Sequence, residues 1–142
     1  MSFENWKDNV NDSKFVCSWS GGKDSCMALY RASRIGQPVK LFTMFNETGV
    51  KSRSHGLSLP FVQLQAEALG LPIEIRSVTW DAYEAEFVTA LCHFKEEGVQ
   101  AVVFGDIDLE EHGLWEEKVC NNAGLKLSLP LWKNERRELV TE

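Results

Sequence analysis

The sequence predicts an α/β protein, a three-layer α/β/α sandwich around a mostly parallel five-stranded sheet. Three observations carry this. Five short apolar runs alternate with four stretches of helical periodicity, Gly or Pro marks nearly every junction, and 142 residues at 44% hydrophobic and 25% charged suit one domain. Strand-helix alternation of this kind demands crossover connections, so the strands run parallel and helices cover both faces.

Residues 15–19 form a short apolar run that ends at a glycine pair, as expected of a buried parallel strand turning directly into a helix. From Asp24 the apolar positions Cys26, Met27, Leu29, Tyr30 and Ala32 recur at helical spacing until Gly36 and Pro38 stop the pattern. Residues 39–45 read as the second strand, and Asn46-Glu47-Thr48-Gly49 as the loop at its carboxyl end. A helix over 60–69 keeps Phe61, Leu64, Ala68 and Leu69 in period and leaves Gln63 and Gln65 for the solvent face, with Gly70 and Pro72 closing it. A third strand follows at 73–75. Residues 83–97 then place Phe87, Ala90, Leu91 and Phe94 on one face, and Gly98 ends that helix before the fourth strand at 99–104. Gly105-Asp106-Ile107-Asp108 leads into a helix over 110–123, and the apolar stretch 125–131 completes the sheet. The domain is expected over residues 14–142, with 1–13 as an N-terminal extension.

The net charge of −6 disfavours nucleic acid and anionic lipid as general partners, although a local basic pocket can still hold a nucleotide. Cys17, Cys26, Cys92 and Cys120 form no CxxC pair and read as buried free thiols. The polar first dozen residues are unlike a signal peptide, and no apolar run approaches membrane-spanning length, so a cytoplasmic protein is expected. A homo-oligomer stays open, because an apolar face reads alike within one chain or between two.

Parallel sheets take ligands outside the carboxyl ends of their strands, so the loops after the first, second and fourth strands are the candidate sites. Ser20-Gly21-Gly22-Lys23-Asp24-Ser25 occupies the first of these. There, backbone amides and the positive end of the helix face the loop, an arrangement that draws an anion. The glycines let backbone approach phosphate oxygens, the two serines add hydroxyls and Lys23 adds a cation, enough to surround a pyrophosphate group. Neither GxxxxGK[ST] nor GxGxxG is present. The bland alternative is an ordinary turn in which Ser20 or Asp24 caps the helix.

The hexapeptide resembles that of the PP-loop ATP pyrophosphatases, and further segments in order resemble one family within them, the diphthine-ammonia ligase-like proteins. These are Phe45-Asn46-Glu47-Thr48-Gly49, Arg53-Ser54-His55-Gly56-Leu57, Gln65-Ala66-Glu67-Ala68-Leu69-Gly70-Leu71-Pro72, Phe104-Gly105-Asp106-Ile107 leading to Trp115-Glu116, and Pro130-Leu131-Trp132. The run through His112 resembles a bacterial branch of the family. The resemblance implies a Rossmann-like fold of the adenine nucleotide alpha hydrolase kind. It implies ATP and Mg2+ as cofactors, with a nucleotide site formed by Ser18, Ser20, Gly21, Gly22, Lys23, Asp24, Ser25, Met44, Gly105 and Asp106. It also implies an activity in which an unidentified carboxylate-bearing acceptor is adenylated, pyrophosphate leaves, and an amide forms. Family members continue into a C-terminal region that these 142 residues lack, so a nucleotide-binding module without its own turnover is the alternative. Sulfur transfer to tRNA is disfavoured by the acidic balance and the missing CxxC pair.

Individual residues keep two readings each. Asp24 either caps the helix or meets magnesium, as Asp106 either meets magnesium or a ribose hydroxyl. Lys23 and Glu47 are the candidate catalytic residues, Glu47 near the activated carboxylate or the ammonia, or else a solvated loop acid. Arg53 and His55 are surface residues or lie on the substrate side, where His can move protons. Asp108, Glu110, Glu111 and His112 fit the acid-rich first turn of a helix better than a metal cluster. Trp115 and Trp132 are expected in the core or at a partner contact, and Arg136 and Arg137 bind an anion or lie exposed.

Overall fold

A computed structural model describes residues 5–45, 58–106 and 110–132. In chain order the elements are α1 (Trp6–Val10), β1 (Lys14–Ser18), α2 (Lys23–Ser33), β2 (Gln37–Phe45), α3 (Leu59–Leu69) and β3 (Ile73–Ser77). A 3-10 turn (Trp80–Ala82) then leads into α4 (Tyr83–Glu96), β4 (Ala101–Val103), α5 (Glu110–Ala123) and β5 (Lys126–Ser128). The strands form one sheet in the order β3-β2-β1-β4-β5, with every pairing parallel. The expected α/β sandwich is thus present, and its sheet is parallel throughout.

Alternate strand residues feed two separate cores. Phe15, Cys17, Leu41, Ala101 and Val103 pack with Val10 of α1, Ala28, Leu29 and Ala32 of α2 and Ala66 of α3. Val16, Phe42, Met44 and Val102 point the other way, against Phe87, Ala90, Leu91 and Phe94 of α4 and Val119, Cys120 and Ala123 of α5. Burial on both faces is why each strand reads as a continuous apolar run. On the second face, Phe42 meets Phe87 and Phe94 edge-on, at ring separations of 5.1 and 5.3 Å.

Several local expectations need correcting. The N-terminal extension, for which no element was expected, contains α1. Its five residues cannot hold a helix alone, and it is held from outside: Asn9 Nδ2 donates to the Leu127 carbonyl at 2.7 Å, Ser128 Oγ donates to the Trp6 carbonyl at 3.2 Å, and Val10 is fully buried. Pro38 belongs to β2 rather than ending a helix. It pairs with Phe15 where the β1–β2 register shifts, a position that tolerates a missing N–H. Only Cys17 and Cys120 are buried thiols. Cys26 and Cys92 are exposed, since α2 buries positions 25, 28, 29 and 32 and α4 buries 87, 90, 91 and 94, stripes that bypass both cysteines. Tyr30 is exposed for the same reason.

The order of the strands also locates a crevice. The chain steps outward from β1 to β2 to β3, then returns to the other side of β1 for β4 and β5. The reversal separates the connections leaving β1 and β4, and a gap opens at their carboxyl ends.

Candidate functional site

The loop leaving β1 is held from below by its neighbour. The Trp19 N–H donates to the Phe42 carbonyl and the Thr43 hydroxyl to the Trp19 carbonyl, both at 2.7 Å. Ser25 Oγ, almost wholly buried, accepts the Ser20 N–H at 3.0 Å and shares a 2.5 Å hydrogen bond with Ser20 Oγ. Gly21 turns the chain with φ +82°, a conformation open to glycine. Gly22 occupies the N-cap of α2 and brings no side chain to cap it. A glycine at the N-cap leaves room for an anion to approach the helix start. Lys23, the first helical residue, is exposed.

Above the loop lies a cavity of about 490 Å³. Ser18, Ser20, Asp24 and Ser25 line it from the loop, Phe104, Gly105 and Asp106 from the end of β4, Tyr83 and Phe87 from α4, and His112, Trp115 and Glu116 from α5. Gly105 is where β4 passes closest to the loop. A methyl group there would sit 3.0 Å from the carbonyl carbon and oxygen of Asp24 and 3.1 Å from the Ser25 amide nitrogen. The aromatic wall is continuous: Trp115 packs edge-on to Phe87 at 5.2 Å and tilts against Tyr83 at 6.0 Å, while Phe87 stacks on Phe104 at 6.1 Å. Trp115 Nε1 is oriented by Glu84 Oε1 at 2.9 Å.

Two acids meet inside this wall. Glu116 is 8% exposed, hydrogen-bonds with Asp106, and has a buried Oε1 without a hydrogen-bond partner among the described residues. Burial first, and then the adjoining Asp106, push the Glu116 carboxyl well above the usual carboxylate range. On the open side, His112 Nδ1 lies 3.7 Å from Asp106 Oδ1. Among the described residues no group of three or more His, Cys, Asp or Glu is arranged to hold a metal ion.

The structure thus brings Ser18, Ser20, Asp24, Ser25, Gly105 and Asp106 around one cavity. Gly21, Gly22 and Lys23 shape the loop without lining that cavity, and Met44 lies in the core between sheet and α4. Glu47, Arg53, His55, Asp108, Arg136 and Arg137 lie outside the described residues. Glu116, His112 and the aromatic wall are site features to which the residue pattern assigned no site role. One sign of Glu116 was available: it sits on a stripe with Val119 and Cys120, and an acid in a buried stripe is more informative than an exposed one.

The family model described as the diphthamide synthase N-terminal domain matches residues 13–127. The chain belongs to this family. The match to the diphthamide synthase N-terminal domain runs from just before β1 into β5, and includes the glycine loop, Gly105, Asp106 and Glu116. The family places the chain among PP-loop, ATP-using proteins. Among curated proteins no match is found. No helix among the described residues of this diphthamide synthase N-terminal domain is long and apolar enough to cross a membrane.

Proposed function

We propose that the chain is the ATP-binding domain of an ATP-dependent ligase acting in the reducing cytoplasm. A substrate carboxylate attacks the α-phosphorus of ATP, the bond to the bridging oxygen breaks, and pyrophosphate leaves. An amine or ammonia then displaces AMP from the acyl adenylate, forming an amide with loss of one proton. The observation that carries this reading is the loop, a helix start with glycine at its N-cap, an exposed lysine beside it and two paired serine hydroxyls lining a cavity at the switch of strand order. Lys23 and the helix end stabilise charge developing on the leaving pyrophosphate. Ser18, on the cavity wall, completes the nucleotide side, and Glu47 acts near the activated carboxylate or the ammonia.

Magnesium suits the acids present. It needs one or two carboxylates and fills its shell from phosphate and water, so Asp24 and Asp106, both on the cavity wall, serve without a dedicated cage. When bound, the ion neutralises phosphate charge. Among the described residues, the cavity wall beyond the loop carries aromatic rings, His112 and the Asp106–Glu116 carboxyls but no Lys or Arg. That lining repels a bare triphosphate and suits the uncharged or amine part of an acceptor.

The test is exchange of labelled pyrophosphate into ATP, measured with a panel of candidate carboxylates. Exchange that depends on one carboxylate is expected. Release of ADP and phosphate instead overturns the proposal.

A further inference from the structure

Gln65 stands on α3 between the buried Val62 and Ala66 positions, half-buried rather than on the solvent face where its spacing puts it. Its amide spans two points of the glycine loop. Oε1 accepts the indole N–H of Trp19 at 3.0 Å, and Nε2 donates to the Gly21 carbonyl at 3.1 Å. The chemistry of the partners dictates this orientation. An indole nitrogen only donates and a carbonyl only accepts, so turning the amide over would break both bonds.

The contact with Gly21 governs more than one atom. The peptide between Gly21 and Gly22 is trans and planar, so its carbonyl and its N–H point in opposite directions. With the oxygen drawn toward α3, the Gly22 N–H faces Ser20 Oγ, 3.4 Å away, on the side where Ser20 lines the cavity. A glycine on each side makes this peptide the easiest in the loop to rotate. Rotated, it would aim a carbonyl oxygen into the place an anion is to occupy.

We propose that Gln65 is a positioning residue that holds the Gly21–Gly22 peptide with its N–H turned toward the phosphate site. This rests on the reading of the loop as a phosphate site. It ties α3, which makes no other side-chain hydrogen bond to the loop among the described residues, to the competence of that site.

Two substitutions test it. Gln65→Met keeps the length of the side chain and removes both bonds, whereas Gln65→Glu keeps the acceptor for Trp19 and removes the donor to Gly21. Trp19→Phe, the control, removes only the indole bond. Each is compared with the wild-type chain by the Gly21 and Gly22 amide signals in nitrogen-proton NMR without ligand, by calorimetric affinity for magnesium ATP and for inorganic pyrophosphate, and by thermal unfolding. Both Gln65 variants are expected to displace or broaden the Gly22 signal and weaken binding about five- to tenfold, the scale of one lost hydrogen bond, with little change in melting. Trp19→Phe should bind within about twofold of wild type, because the Gly21 bond survives.

Unmoved Gly21 and Gly22 signals in Gln65→Met overturn the proposal, as does unchanged affinity alongside moved signals. A wild-type chain that binds neither ATP nor pyrophosphate overturns the reading of the loop as a phosphate site, and the amide signals then decide separately whether Gln65 orients the peptide.

Discussion

Replacing Gly105 by alanine probes the closest approach in the site. The added methyl would lie 3.0 Å from the Asp24 carbonyl carbon and oxygen and 3.1 Å from the Ser25 nitrogen. That is tighter than ordinary van der Waals contact, so the neighbouring atoms would have to give by a few tenths of an ångström. Nothing flexible stands there to yield, since all three atoms are backbone in the first turn of α2. Overpacking of this kind costs about 1–3 kcal/mol. In a domain of this size each kcal/mol lowers the melting temperature by about 4 °C, so a fall of about 4–12 °C is expected. Relief of the clash moves the amides that face the anion, so affinity for magnesium ATP should fall as well. Thermal denaturation and calorimetry measure the two effects. Gly98→Ala is the comparison, because Gly98 has φ +100° and open space around its missing side chain. It should cost about 1–2 kcal/mol through backbone strain alone and leave ATP affinity unchanged. A Gly105→Ala chain that melts and binds like wild type refutes the close packing of β4 on the loop, and equal loss of affinity in both variants refutes the link to the site.

Three further outcomes follow from the same geometry. Lys23→Ala should weaken ATP binding about tenfold by calorimetry and leave melting almost unchanged, because Lys23 is an exposed residue at the start of α2. Glu116→Gln should stabilise the fold at neutral pH. The raised carboxyl of Glu116 favours the folded state below the ordinary carboxylate range, and that contribution is lost as pH rises through its elevated value. Glutamine does not titrate and can still donate to Asp106, so the advantage of Glu116→Gln should vanish near pH 4. Above that it should grow by about 1.4 kcal/mol for each pH unit until the carboxyl ionises in the folded chain. Melting curves from pH 4 to 9 check this, and a constant difference contradicts it. A thiol reagent should modify Cys26 and Cys92 in the folded chain and reach Cys17 and Cys120 only on unfolding, since burial pushes both of the latter thiols up and depletes their thiolates.

The strand-helix alternation, the glycine loop and its place at a strand's carboxyl end were legible from residue order because each depends on neighbours within a turn or two. Gly21 and Gly22 announce a tight turn wherever they stand, and apolar runs bounded by Gly70-Leu71-Pro72 or Gly98 announce buried strands. The buried stripes of α2 and α4 were legible only in part, for Cys26 and Tyr30 look apolar yet face outward. Helix α1 was invisible because Leu127 and Ser128, more than a hundred residues away, hold it.

The site divides along the same line. Asp106 was a candidate because it follows a strand, whereas Glu116 became one when α5 folded back and put its buried carboxyl beside Asp106. Gln65 looks like a surface residue of an amphipathic helix until α3 packs beside the loop and its amide meets Trp19 and Gly21. By itself the sequence determined the five strands, the helices α2 to α5, the place of the glycine loop and the α/β class, since hydrophobic period and glycine stereochemistry are local properties. The tertiary structure alone decided which distant side chains enclose that loop, because desolvation and hydrogen-bond geometry exist only after β4, α3 and α5 converge on it.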